Sequence, residues 1–329
     1  MLQENYVYRK RGEIMNNIAK CVRKLDELEY FPVACRAEEI LYKSIRKSLS
    51  QLGKTGEKAV IHYICTIYGL SENELLRNYD LFESAFNDVL GQAASKIIFS
   101  LIKKEILTQA VLNSSGQTIE AIQKPDLSIR EMISLINYED IKRHVRVLPL
   151  HSHSVCLYET TRFRDQVIST FFADDELTNT SKCYISEDRP SIEIQKEINH
   201  LTYRQISIEP SQMARNIFDM TKTSCSSANP PKGPIVLKIA EEDAGWWLRN
   251  GYKEKLQILE ELLGRELGKN ISIMCAFVVS KLNNKEMDLV MSNIIPHHNL
   301  VITEDPPAMY APSTHTFFKN ELKNDPVSE

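Results

Sequence analysis

The sequence predicts an α/β unit preceded by an all-helical one, and three observations predict it. Between Val155 and Thr303, short apolar runs alternate with stretches of helical period. Residues 12–110 carry helical period with no strand pattern. The turn after the first strand of the second half, Glu159-Thr160-Thr161-Arg162-Phe163-Arg164, contains neither glycine nor lysine. A nucleotide hydrolase of this layout needs a glycine-rich loop ending in Lys-Ser/Thr there, because backbone N–H groups must cradle the phosphates. Glu159 would repel a phosphate. The α/β unit is therefore expected to sense a ligand rather than turn it over.

In the helical half, Leu41, Ile45 and Leu49 share one face, and Ala59, Val60, Tyr63 and Ile64 form another stripe. Gly53 and Gly56 mark a break between them. Ser71 to Glu74 and Ser128 to Glu131 fit capping boxes. Phe82, Phe86 and Leu90, then Ala94, Ile97, Ile98, Leu101 and Ile102, continue the pattern. Polar residues and Pro125 make 111–150 a linker and connector helix, with a lead-in strand around Val145 to Leu148.

In the second half, 151–303, strands are expected at 154–158, 182–186, 205–208, 234–240, 271–279 and 299–303. Helices are expected at 162–173, 190–199, 211–224, 251–267 and 284–293. Apolar stripes support them: Phe163, Val167, Ile168 and Phe171 on one helix, Tyr252, Leu256, Leu259 and Leu263 on another. Connections of this length favour parallel strands with helices over the sheet. The segment 304–329 is polar and proline-containing and reads as a flexible tail that docks through Tyr310 or Phe317-Phe318.

Bulk properties exclude several classes. The net charge of −4 over 329 residues gives no pull toward nucleic acid or anionic membrane. No apolar run approaches the roughly 18 residues of a membrane span. The seven cysteines form no CxxC pair and most sit in apolar stretches, the pattern of buried thiols. A cytoplasmic location is expected, with neither cofactor nor metal.

Several stretches resemble the MEDS family, the sensory domain of methanogens and methylotrophs named after a dichloromethane-responsive regulator. The likeness covers about 150–303. It rests on His153-Ser154-Val155-Cys156-Leu157-Tyr158-Glu159, the helix from Phe163, Lys182 to Ile185, and Ile235 to Ile239 followed by Ala240-Glu241-Glu242 and Trp246. It continues through the helix bearing Glu260, strand 271–278 and His298 to Ile302. The resemblance implies a RecA/KaiC-like, mostly parallel sheet without a working phosphate loop, attached to signal-transduction partners. The helical half resembles helical domains of uncharacterised archaeal proteins.

Candidate ligand-binding residues follow from the rule that ligands bind beyond the carboxyl ends of parallel strands. Glu159, Glu241 and Glu242 end two strands, with Asp243 behind them. Arg162 and Arg164 open the first helix and could clamp an anion. Trp246 could line a pocket while Trp247 packs. His153 and Tyr158 read as structural. His151 and His153 could chelate zinc, but spacing places no third ligand. His297-His298 reads as an exposed loop pair. No nucleophile motif is found, so no catalytic residue is named.

The leading expectation is a non-catalytic sensory or regulatory protein that binds a small molecule or protein partner, as a homo-oligomer. One alternative is a Mg²⁺-dependent nucleotide or phosphoryl-transfer enzyme using Glu241-Glu242-Asp243. Another is a structural assembly subunit.

Overall fold

The computed structural model describes residues 24–25, 27–33, 36–72, 75, 79–111, 116–173, 180–187, 198–203, 209, 212, 236–266, 270–304 and 307–312. The chain divides into two compact units, Ala34–Asp140 and a second made of Met1–Val33 with Ile141–Glu329.

The first unit is helical. Helix α1 (Arg36–Leu49) buries Ala37, Ile40, Leu41, Ile45 and Leu49 on one face. Its acids Glu38 and Glu39 lie in the first turn and its bases Arg46 and Lys47 in the last, complementing the helix dipole. Those bases, with Lys43, pair with Glu39, Glu57, Glu72 and Glu105. Helix α2 (Lys54–Tyr68) follows, and α3 (Tyr79–Val111) is broken at Gly91, where φ is 75°. Only glycine adopts that angle cheaply. At the break the Ser95 hydroxyl donates to Phe86 O at 2.9 Å. Phe82, Phe86 and Phe99 pack there with ring centroids 4.4 to 6.1 Å apart. Helices α4 (Gly116–Ile122) and α5 (Ile129–Arg146) complete the series. The Ser128 capping box forms: Glu131 accepts from Ser128 N at 2.7 Å and donates its own amide to Ser128 Oγ at 3.2 Å.

The second unit is a mostly parallel sheet flanked by helices. Its strands are β1 (Tyr30–Pro32), β2 (His153–Tyr158), β3 (Thr180–Ser186), β4 (Ile198–Thr202), β5 (Val236–Glu241), β6 (Ile271–Val278), β7 (Leu300–Glu304) and β8 (Pro307–Pro312). They lie in the order β1-β8-β7-β2-β6-β5-β3-β4. The pairs from β7 through β4 are parallel, while β1–β8 and β7–β8 are antiparallel. Strands β2, β5 and β6 are buried at every position, as central parallel strands covered on both faces must be.

One sheet face carries Val155, Leu157, Ile185, Ile239, Cys275 and Phe277. Helices α7 (Gly245–Arg249), α8 (Lys253–Glu266) and α9 (Asn284–Leu289) share that core through Trp247, Leu256, Leu263 and Met287. A π-helical turn, Val290–Ile294, and a 3₁₀ turn, Ile295–His297, carry α9 on to β7. The opposite face meets α6 (Thr161–Phe172). There Lys238 Nζ stands 5.6 Å from the Phe171 ring centre, and Phe172 meets Tyr184 edge-on.

Several elements differ from expectation. Tyr30–Pro32 form an edge strand within a segment read as helical; three residues are too short to show a period. Residues 198–202 are a strand where a helix was expected to end. Val145 and Arg146 belong to α5 rather than to a lead-in strand. Residues 307–312, read as tail, form β8 and bury Met309, Tyr310 and Ala311. The expected elements at 205–208 and 211–224 lie almost wholly outside the described residues, as does the capping residue Glu74. No described helix is long and apolar enough to cross a membrane.

Candidate metal centre

A four-residue cluster lies within the core of the sheet face covered by α8. His153 begins β2, Cys275 is in the middle of β6, Glu260 projects from α8, and His298 follows the 3₁₀ turn before β7. All four are buried. Register explains the convergence. Cys275 pairs with Val155, two residues on from His153, and alternate strand residues share a face. Glu260 is a carboxylate on the apolar stripe of Leu256, Leu259 and Leu263, so α8 drives it into the core.

One ligand atom from each residue falls within 4.8 Å of every other. Glu260 Oε2 stands 3.2 Å from His153 Nε2 and 3.6 Å from His298 Nε2. Cys275 Sγ stands 3.6 Å from His153 Nε2. Donors bound tetrahedrally at about 2.0–2.3 Å from a zinc ion would be roughly 3.3–3.6 Å from each other. The three observed spacings fall close to the edges of such a tetrahedron, within a cluster whose donor atoms all lie within 4.8 Å of one another.

Both imidazoles are prepared for ligation. His153 Nδ1 lies 3.2 Å from His297 O, and His298 Nδ1 lies 2.9 Å from Ile294 O. A carbonyl oxygen only accepts, so each Nδ1 carries the proton and each Nε2 turns a lone pair toward the cluster. Glu260 Oε2 and His298 Nε2 have no hydrogen-bond partner among the described residues. The Cys275 thiol is the donor at hand, facing both His153 Nε2 and the Glu260 carboxyl, so one proton serves three groups of acceptors, and a cation that displaces it would satisfy all four side chains at once. Burial holds both histidines neutral by pushing each pKa down to about 3. Burial also raises Glu260, against the neighbouring His298, and raises Cys275, with help from Glu260 and Glu241.

The donor set selects the ion. Thiolate and imidazole favour zinc-type transition metals, whereas Mg²⁺ prefers oxygen alone. A thiolate and a carboxylate around a divalent ion leave the centre neutral, which suits burial.

Glu241 adjoins the cluster. It ends β5 in register with Cys275, is buried, and leaves Oε2 without a partner among the described residues. Burial, then Glu260 and Asp243, push its pKa up to about 8.

Of the residues expected to bind a ligand, Arg164 and Glu242 meet as an ion pair and the others have separate surroundings. Arg162 is exposed, and Glu159 is half-buried at the end of β2. Arg164 is buried and turned to Glu242 at 2.9 Å, Asp165 at 2.7 Å and the Tyr158 hydroxyl at 3.2 Å. Tyr158 donates in turn to Glu242 O at 2.9 Å. The carboxylate of Glu304 takes the place a phosphate would need, accepting from Glu159 N at 2.6 Å, Thr160 N at 2.7 Å and the Thr160 hydroxyl. Trp246 stacks on Tyr203 with centroids 4.9 Å apart, and Trp247 is fully buried, so both tryptophans pack. The acids 241–243 also diverge: Glu242 meets Arg164, and Asp243 meets Arg249 at 2.8 Å.

His153 lies at the opposite strand end from Glu159, as expected, and its ring reaches the His297 loop. His151 is exposed and, among the described residues, is not one of the clustered ligand candidates. His298, read as exposed, is buried beneath α8 because the 3₁₀ turn rolls it inward.

Family models, curated proteins and solved structures give no match to this chain. The likeness to the MEDS family therefore rests on the sequence alone. The purely non-catalytic, signal-transducing role that it suggested is overturned by the buried His153, Glu260, Cys275 and His298 cluster, which suits a cofactor or catalytic centre.

Proposed function

We propose that the α/β unit is a metal-dependent enzyme unit holding one zinc-type divalent ion between His153, Glu260, Cys275 and His298. The observation that carries this reading is the approach of four donor atoms, all buried, to within 4.8 Å of one another. Lewis acidity at the ion would require one of the four donors to yield its place or a fifth position to open, since a tetrahedron filled by four protein donors is closed to substrate. Glu241, in register beside Cys275, places a second carboxyl, a fifth donor group, next to the centre. This reading keeps the metal-dependent alternative but moves the metal from the 241–243 run to the cluster, because Glu242 and Asp243 each pair with a different arginine and the cluster offers nitrogen and sulfur.

Metal analysis of protein purified without a metal-affinity tag tests it. About one zinc-type ion per chain is expected, with thiolate-to-metal charge transfer after Co²⁺ substitution, both lost in Cys275→Ala. A chain that takes up neither Zn²⁺ nor Co²⁺ while folded would sink the reading.

A further inference from the structure

The turn that delivers His298 is fastened from outside the cluster by one side chain. Residues 294–298 supply most of the outer support of the metal site. Ile294 O accepts from His298 Nδ1, and His297 O accepts from His153 Nδ1. Ile295 O accepts the His298 amide at 2.8 Å, closing the turn. The Tyr30 hydroxyl reaches this turn from β1, 2.9 Å from Ile295 O and 2.8 Å from His298 O. Its single proton is shared between the two carbonyls, one on either side of His297. Tyr30 is buried, so water does not compete for these bonds.

Strand β1 lies at the edge of the sheet, where Tyr30 joins the core and Val33 is buried. It is a three-residue edge strand paired only with β8, extended by Val33 N donating to Met309 O at 2.8 Å. A short antiparallel edge pair is weakly stable on its own. The buried hydroxyl also ties it to the turn at Ile295 O and His298 O, next to Ile294 O and His297 O, the carbonyls that orient the two histidine rings. Groups that orient metal ligands typically change metal affinity 10- to 100-fold when removed.

We propose that Tyr30 is a positioning residue of the metal centre: by holding the 295–298 turn, it sets the pose of His298 and of the carbonyl that orients His153. This inference rests on the metal reading above. Binding linkage is reciprocal, so the ion in turn holds β1 against the sheet.

The test is Co²⁺ and Zn²⁺ binding to Tyr30→Phe, which keeps the ring and removes only the hydroxyl. Affinity is expected to fall about 10-fold, the low end of what loss of a group bonded directly to a ligand ring costs, because Tyr30 acts through the turn. The Co²⁺ d–d bands should also shift, a change that mere loss of stability would not cause in the bound form. A wild-type affinity and spectrum for the variant would overturn the inference while leaving the metal site intact. Absence of any metal binding by the wild type would overturn both. Amide exchange on the wild type needs no variant. Zn²⁺ should slow exchange at Val33 more than at Ile168 on α6, which lies on the other sheet face; equal slowing contradicts the linkage.

Discussion

Glu260 Oε2 lies 3.2 Å from His153 Nε2 in the core, yet it has no hydrogen-bond partner among the described residues. A carboxylate placed this way is a liability without a cation and an anchor with one. The Glu260→Gln variant is therefore expected to change sign with metal. In chelator it should match or exceed wild-type stability by about 1 kcal/mol, because a buried acid becomes a neutral amide of the same shape. With Zn²⁺ at a hundred times its Kd, wild type should gain about 2.7 kcal/mol and the variant far less. Urea unfolding in the two buffers reads both arms. Equal zinc stabilisation of the two proteins would remove Glu260 from the site.

The metal-free protein should lose stability as pH falls from about 6.5 toward 3. His153 and His298 have folded pKa values of about 3, below the ordinary histidine value near 6.5. The unfolded chain binds more protons in that window, so stability rises with pH across it and is lost on acidification. Glu241 acts oppositely. Its folded pKa of about 8 exceeds the ordinary value, so its contribution is present below about 4.5 and lost as pH rises through 8. Chelated Glu241→Gln should thus show a shallower alkaline decline than wild type, with the acid limb unchanged. Denaturation midpoints from pH 4 to 9 measure this, and an unaltered alkaline limb would count against it.

Much of the fold was legible in the sequence, whereas the site was not. The parallel strands 154–158, 182–186 and 271–278 announced themselves as continuous apolar runs, and α6 and α8 as stripes of 3.6 period. Strand β1 gave no such signal, since its three residues pair with β8 across almost the whole chain, and β8, which begins and ends in proline, pairs with its sequence neighbour β7 from a segment that reads as tail. The four cluster residues are spread from residue 153 to residue 298, on two strands, a helix and a turn, so no local spacing could collect them. One signal was available: Glu260 is a charge on the buried stripe of α8, and a charge on such a face needs a partner in the core. His298 resisted because adjacent histidines look solvent-exposed until the π and 3₁₀ turns rotate the second inward.

Arg164 should be among the costlier single losses in the α/β unit. Its guanidinium is buried and spans Glu242, Asp165 and the Tyr158 hydroxyl, tying α6 to the loop after β5. Arg164→Ala leaves Glu242 without this partner and is expected to cost about 3 kcal/mol. Lysine keeps the charge but not the planar fork, so Arg164→Lys should recover only part of that. Thermal or urea unfolding ranks the three proteins; a lysine variant indistinguishable from wild type would show that charge alone matters there.

Glu304 is expected to behave as a cap for α6. Its carboxylate accepts from two successive amides and a hydroxyl at the β2–α6 corner, where the helix dipole favours negative charge. Thr160 adds its own cap by accepting from Phe163 N at 3.2 Å. Glu304→Ala should cost about 1–2 kcal/mol, since it strands donors that the corner presents together. Glu304→Gln should fall between, because its NH₂ end cannot accept from an amide. The same geometry predicts that inorganic phosphate and ATP leave the wild-type Tm unchanged, as the amides they would need are already engaged. A phosphate-dependent rise in wild-type Tm that persists in Arg162→Ala would show the corner opening to anions, and the capping role would have to be abandoned.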